Sequence, residues 1–215
     1  MAHSFTGFSV SQRVDLEKIV IAATKILTQA HKDVIELQKQ NAAQSLKDDY
    51  KRWFGTLTTD RLKIVTDVVT LLDYTLASGR VDFTYNGAGC NANTNAAAYR
   101  PAHGWKLAEL TEALKKDTYK ITLCPRFFAA LPLDAEDRQS RVGTFIHELS
   151  HIVGNTEDEV VNGTTMYGRD NARILADRFP DQAVKNAENY GFYGTWLARK
   201  PQPEVNLADY AALLE

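Results

Sequence analysis

The sequence predicts an α+β fold, mostly helical with a small β-sheet, and three observations carry the prediction. Apolar residues recur at helical spacing through the first third of the chain, the period changes to two at Val81, and a later amphipathic segment carries His147-Glu148-Leu149-Ser150-His151. The chain has 215 residues, 44% hydrophobic and 24% charged, enough for one core and about one domain. Its organisation reads as a single domain over 1–215. A helical front part occupies 1–80 and a part with the sheet and the candidate site occupies 81–199. A tail at 200–215 is set off by Lys200-Pro201-Gln202-Pro203.

From Ser9 onward, Leu16, Ile19, Val20, Ala23, Leu27, Ala30, Val34 and Leu37 fall on one helical face between Lys, Asp, Glu and Gln, which predicts a long amphipathic scaffold helix. A second helix is expected over 46–54, with Trp53 and Phe54 as core anchors. A third runs from a Thr59 or Asp60 cap to a stop at Gly79. Val81, Phe83 and Tyr85 then alternate with polar residues and end at Asn86-Gly87, the pattern of a strand and turn. Residues 86–104 read as loop, 105–116 as a short helix, 119–123 as a second strand, and 207–214 as a short terminal helix. A helix is also expected from Asp181.

Composition excludes several functions. With 25 basic and 27 acidic residues and no basic block beyond Lys115-Lys116, the chain lacks the electrostatic footprint of a nucleic-acid binder. No apolar run approaches the ~20 residues of a bilayer span, and the first residues carry no secretory signal pattern. The expectation is a monomer without nucleic-acid or membrane partners. Cys90 and Cys124 permit one bridge, with two reduced buried thiols as the alternative, and are too few for a four-thiolate zinc site. If the two predicted strands are neighbours, a bridge between these cysteines ties the intervening loop to the sheet.

The chemistry is concentrated between Asp134 and Gly154. Asp134 and Asp137 suit a helix start and Gly154 a stop, while Val142, Phe145, Ile146, Leu149 and Val153 form a docking stripe. His147 and His151, four residues apart, project from one face and can bind a single ion. Gly143, one turn earlier, leaves room for a ligand. Glu148 is turned by about 100° from His147, too far to join as a ligand but placed to touch a water on the metal. H-E-x-x-H arises in roughly 0.6% of shuffled chains of this composition, so the match is specific. Zinc in a hydrolase takes three protein ligands and leaves a position for water. Of the other imidazoles, His3, His31 and His103 all lie upstream, so a carboxylate after the helix is the economical third ligand. Glu157 and Asp158 both qualify: Glu157 falls in the metzincin register with Gly154 and Met166, and Asp158 follows it directly.

His147-Glu148-Leu149-Ser150-His151 followed by Asn155-Thr156-Glu157-Asp158 resembles the aspzincin metalloendopeptidases, the deuterolysin and peptidyl-Lys group, whose H-E-x-x-H is followed by a G-T-x-D element. Tyr50 to Gly55, Ile121 to Phe127, Gly143-Thr144, Tyr167-Gly168 and Asn186-Ala187-Glu188 resemble further elements of the peptidyl-Lys branch in the same order. The resemblance implies a zincin-like fold with one zinc per chain, held by His147, His151 and Asp158. Glu148 is then the general base, Tyr167 the oxyanion donor, and Glu188 an acid that receives a substrate lysine just after the scissile bond. It also implies a Cys90–Cys124 disulfide and an extracellular, secreted endopeptidase. The chain departs from the pattern at three places: Asn155 replaces a glycine, the segment from Glu159 to Met166 is long, and Gly191 stands where a second acid is expected. Two other readings remain, a zinc-retaining interaction module without catalysis and a signal-less effector peptidase. The retained Glu148 argues against the first, because a structural zinc site needs no base.

Overall fold

The computed structural model describes residues 3–78, 81–99, 119–133 and 139–199. Three helices open the chain: α1 (Val10–Glu36), α2 (Gln44–Phe54) and α3 (Thr59–Ser78). Ser9 caps α1, its side chain accepting from Gln12 N–H while the Gln12 side chain accepts from Ser9 N–H, a reciprocal capping box. Every residue of the predicted α1 stripe is buried. Trp53 and Phe54 are core residues as expected, and Trp53 stacks on Phe192 at 5.7 Å. The expected stop at Gly79 and the helices at 105–116 and 207–214 lie outside the described residues.

The sheet contains the two expected strands and two more. Its order is β1 (Ser4–Thr6), β2 (Val81–Tyr85), β4 (Tyr119–Leu123) and β3 (Ala96–Tyr99). β1 and β4 run parallel to β2 on either side, and β3 pairs antiparallel with β4, with Ala96 opposite Leu123 and Ala98 opposite Ile121. β3 falls in the segment expected to be loop. Three alanines have little intrinsic strand preference, so pairing with β4 decides their conformation. Cys90 and Cys124 are disulfide-bonded with Cα atoms 5.4 Å apart, tying the start of that segment to the end of β4.

After β4 come α4 (Pro125–Ala130) and α5 (Arg141–Gly154), then a small hairpin of β5 (Val160–Val161) and β6 (Thr164–Thr165). α6 (Arg169–Arg178), α7 (Pro180–Ala183) and α8 (Ala187–Leu197) complete the described chain. The helix expected from Asp181 is thus split at residues 184–186. α5 begins later than the acidic stretch suggests: Ser140 is its N-cap and accepts from Gly143 N–H at 3.0 Å, while Asp134 and Asp137 lie outside the described residues.

α5 is the centre of the molecule. It packs against α1, α3, α8 and β3, and all of its residues from Val142 to Ser150 are buried, so it is enclosed on every side rather than docked by one stripe. Phe145 meets Phe83 of the sheet at 5.6 Å between ring centres. Burying Phe145, Ile146 and Leu149 contributes roughly 1.5–3 kcal/mol each. Gly143 does not open space for a ligand. A Cβ there would lie 3.0 Å from Thr195 Cγ2, and a Cβ on Gly191 would lie 2.8 Å from the Gly143 carbonyl oxygen, so the missing side chains let α5 and α8 cross closely.

The crossing predicts an inverted substitution effect. At an open helical position Gly→Ala stabilises by about 0.8–1 kcal/mol. For Gly191→Ala we expect a net loss of about 1–2 kcal/mol from overpacking, read as a lower denaturant midpoint. A raised midpoint would show that the helices separate freely.

Candidate metal centre

α5 presents His147 and His151 on successive turns, and the chain beyond it returns Asp158 to the same point. The return depends on Asn155, which caps α5 in the left-handed region at φ 51°, a conformation Asn tolerates better than most residues. This explains how Asn serves where a glycine is expected. The turn directs the Thr156 carbonyl oxygen to 2.8 Å from His151 Nδ1, and Thr156 Oγ1 meets Ser150 Oγ at 2.7 Å.

A carbonyl only accepts, so His151 donates from Nδ1, and in the neutral ring Nε2 is then the lone-pair nitrogen. His147 donates from Nδ1 to Glu188 Oε2 at 2.8 Å, so in its neutral ring the lone pair likewise lies on Nε2. The two Nε2 atoms lie 3.1 Å apart, and Asp158 Oδ1 lies 3.3 Å and 3.4 Å from them. A tetrahedral centre with ligands at about 2.0–2.1 Å has edges of roughly 3.3–3.4 Å, so the triangle fits zinc. Asp158 Oδ1 is buried and has no hydrogen-bond partner, so three candidate ligand atoms converge on one point. A cation placed there would satisfy all three. The same field acts on protons: burial lowers the His147 pKa, yet its contacts with Asp158 and Glu188 outweigh burial and raise it to about 10 in the cation-free protein. Burial also favours protonated Asp158, but the two imidazoles and Tyr167 hold its carboxyl well below the usual range.

The other predicted residues surround this triangle. Glu148 is 8% exposed, and burial raises its pKa against the opposing pull of the two histidines and the Ala98 backbone of β3. The long segment before Tyr167 folds as the β5–β6 hairpin around Asn162-Gly163, both at positive φ, a pattern expected of an Asn-Gly turn. Met166 N–H bonds Glu159 O at 2.8 Å, closing the hairpin and bringing Tyr167 back beside Asp158. Tyr167, 48% exposed, donates its hydroxyl to Asp158 Oδ2 at 2.7 Å. Met166 packs with Leu175, Ala176 and Ala183 in a satellite cluster. Glu157 lies outside the triangle, its backbone paired with Lys185 and Ala187, although its side chain lines the cleft.

Glu188 is 3% exposed and more committed than a waiting substrate receptor. Besides His147 it accepts from Gln139 Nε2 at 3.1 Å and Gly168 N–H at 2.8 Å, and these partners hold its carboxyl below the usual range against the effect of burial. Sequence reasoning missed Gln139, the Gly168 N–H, the Thr156 carbonyl and β3. The sequence reading missed the hairpin as well, although the Asn162-Gly163 dipeptide could have signalled it, whereas nothing local marks the other contacts. Around these residues a cleft of about 680 Å³ runs from Asn93–Ala98 past Gln139 and Thr144 to Tyr167.

Comparison with known proteins shows the family and the fold. The profile of the aspzincin family, described as lysine-specific metallo-endopeptidase, matches residues 39–195. A peptidyl-Lys metalloendopeptidase of Pleurotus ostreatus is 29% identical over 193 residues, covering 88% of this chain and 95% of that protein. An extracellular protease of Aeromonas hydrophila is 42% identical over 77 residues, 35% of this chain and 20% of that protein. The solved zinc peptidase from Grifola frondosa superposes with a TM-score of 0.61 at 27% identity, covering 87% of this chain and 96% of that one.

Removing a corner of the triangle should separate the two acidic candidates. Asp158→Ala is expected to weaken zinc binding more than ~100-fold in chelator competition, with Glu157→Ala within ~3-fold of the parent. Glu188→Gln, which leaves the triangle but alters the partner of His147, should weaken binding by about 10–100-fold. Loss of zinc from Glu157→Ala alone would reject this site.

Proposed function

The chain belongs to the aspzincin family of lysine-specific metallo-endopeptidases, and from that premise we propose that His147, His151 and Asp158 hold its zinc while Glu148 carries the proton in peptide-bond hydrolysis. The observation that carries the reading is the triangle of Nε2, Nε2 and Oδ1 with Glu148 beside it in an open cleft. Zinc bound there supplies a Lewis acid that brings a water's pKa towards neutrality and polarises a carbonyl. Glu148 removes the proton of the attacking water and returns it to the departing amine. Tyr167 holds Asp158 Oδ2 at rest, and its half-exposed hydroxyl can turn to donate to the developing oxyanion.

The substrate is read as an extended peptide on the outer edge of β3. Because Asn95 O accepts from Cys124 N–H, the alternate residues Ala96 and Ala98 turn their N–H and carbonyl groups away from β4, toward the cleft they line. Lysine just after the scissile bond is the residue for Glu188. A carboxylate has about four acceptor positions and three are engaged, so one remains for an ammonium. The chain supplies every member of the site itself, which fits a monomer with one zinc. The Cys90–Cys124 disulfide and the extracellular Aeromonas relative support secretion.

Glu148→Gln should keep zinc and lose about 10²–10⁴-fold in turnover, because the amide cannot accept a proton. Near-parental turnover with zinc bound would remove Glu148 as base. In cleavage-site mapping on a denatured protein, lysine after the bond should exceed glutamine by about tenfold, the worth of one charge-assisted hydrogen bond. A profile without basic enrichment would overturn the role given to Glu188.

A further inference from the structure

The cleft holds a cation that hydrolysis leaves without a task. Among the described residues lining it, Arg126 is the only lysine or arginine, and it stands with Glu148, Glu157, Asp158 and Glu188 in the same cavity. Arg126 is exposed and makes no ion pair or hydrogen bond with a described residue. Its mount is fixed. Cys124, two residues earlier, is held by the disulfide to Cys90 and donates its N–H to Asn95 O at 2.9 Å, and Pro125 opens α4.

Register places this guanidinium along the cleft. Glu148 meets β3 at Ala98, whereas Ala96 pairs with Leu123 and Asn95 with Cys124, so Arg126 lies beyond the Ala96 end of the strand. Ala98 to Asn95 is about 10 Å at ~3.3 Å per residue. Gln139 connects the Asn95 side chain to Glu188 at 3.5 Å and 3.1 Å, so Glu188, Gln139, Asn95 and Arg126 follow one another along the same half of the cleft.

We infer that Arg126 determines specificity by receiving a substrate carboxylate at the second or third residue after the scissile bond. The position rests on the reading that Glu188 faces the first residue after the bond. A planar guanidinium accommodates a carboxylate with two parallel N–H donors, and no described carboxylate competes for it. The carboxylate can be an aspartate or glutamate side chain, or the terminal carboxylate of a short peptide.

The test uses the zinc-loaded full chain and matched peptides with lysine after the cleaved bond and Glu, Gln or Lys two or three residues after it. An exposed pair in a cleft is worth roughly 1.5-fold to fivefold in kcat/KM, so Glu should exceed Gln by that factor and Lys should fall below Gln. R126Q should level the series and R126E should reverse it, with zinc content and circular dichroism unchanged in both variants. A second arm ends the peptide two or three residues after the bond as free acid or amide. A preference confined to the acid assigns Arg126 to the terminal carboxylate, and one that persists in internal sites assigns it to side chains. Equal rates for Glu, Gln and Lys at both positions in the parent, or a preference unmoved by R126Q and R126E, overturn the proposal. Replacing the lysine by glutamine tests the Glu188 reading separately: loss of lysine preference with the Arg126 effect intact defeats that reading alone.

Discussion

Two imidazoles on a helix enclosed by protein each need a partner for Nδ1, and much of the surrounding structure supplies those partners. The Thr156 carbonyl serves His151 and Glu188 serves His147. With both Nδ1–H groups committed, both Nε2 lone pairs face the one point that Asp158 Oδ1 also faces. The candidate metal site therefore follows from the obligation to satisfy buried polar groups as much as from the histidine spacing.

Glu188 reaches His147 only because α5 and α8 cross closely. Gly143 and Gly191 give the backbones that proximity, and a side chain at Gly191 would press on the Gly143 carbonyl. The glycine that stands in place of a second acid thus belongs to the helix crossing. Glu188 in turn accepts from Gly168 N–H and Gln139, so one carboxylate joins α5, the turn after the β5–β6 hairpin and the segment leading into α5. A change at Glu188 acts on His147, a candidate ligand, and on the cleft together.

Two features that depart from the family pattern in the sequence become intelligible as geometry. Asn155 adopts the left-handed turn that a glycine would take, and the extra residues before Tyr167 form a hairpin that closes on itself and leaves Asp158 and Tyr167 adjacent. Insertions of this kind are tolerated because a hairpin satisfies its own backbone and shifts neither end.

Local pattern determined the first three helices, the strands at Val81–Tyr85 and Tyr119–Leu123, and the pair His147 and His151, because helical and strand periods are written in neighbouring residues. It did not determine β3, whose alanines become a strand only by pairing with β4, nor the start of α5 at Ser140. That Asp158 rather than Glu157 lies beside the two histidines was also beyond spacing, since adjacent carboxylates are separated only by how the backbone turns at Asn155 and pairs with Lys185 and Ala187. The tertiary structure alone decided the engagement of Glu188, the closeness of α5 to α8 and the place of Arg126 in the cleft. Each joins residues remote in sequence, and contacts of that kind leave no periodic trace for the sequence to show.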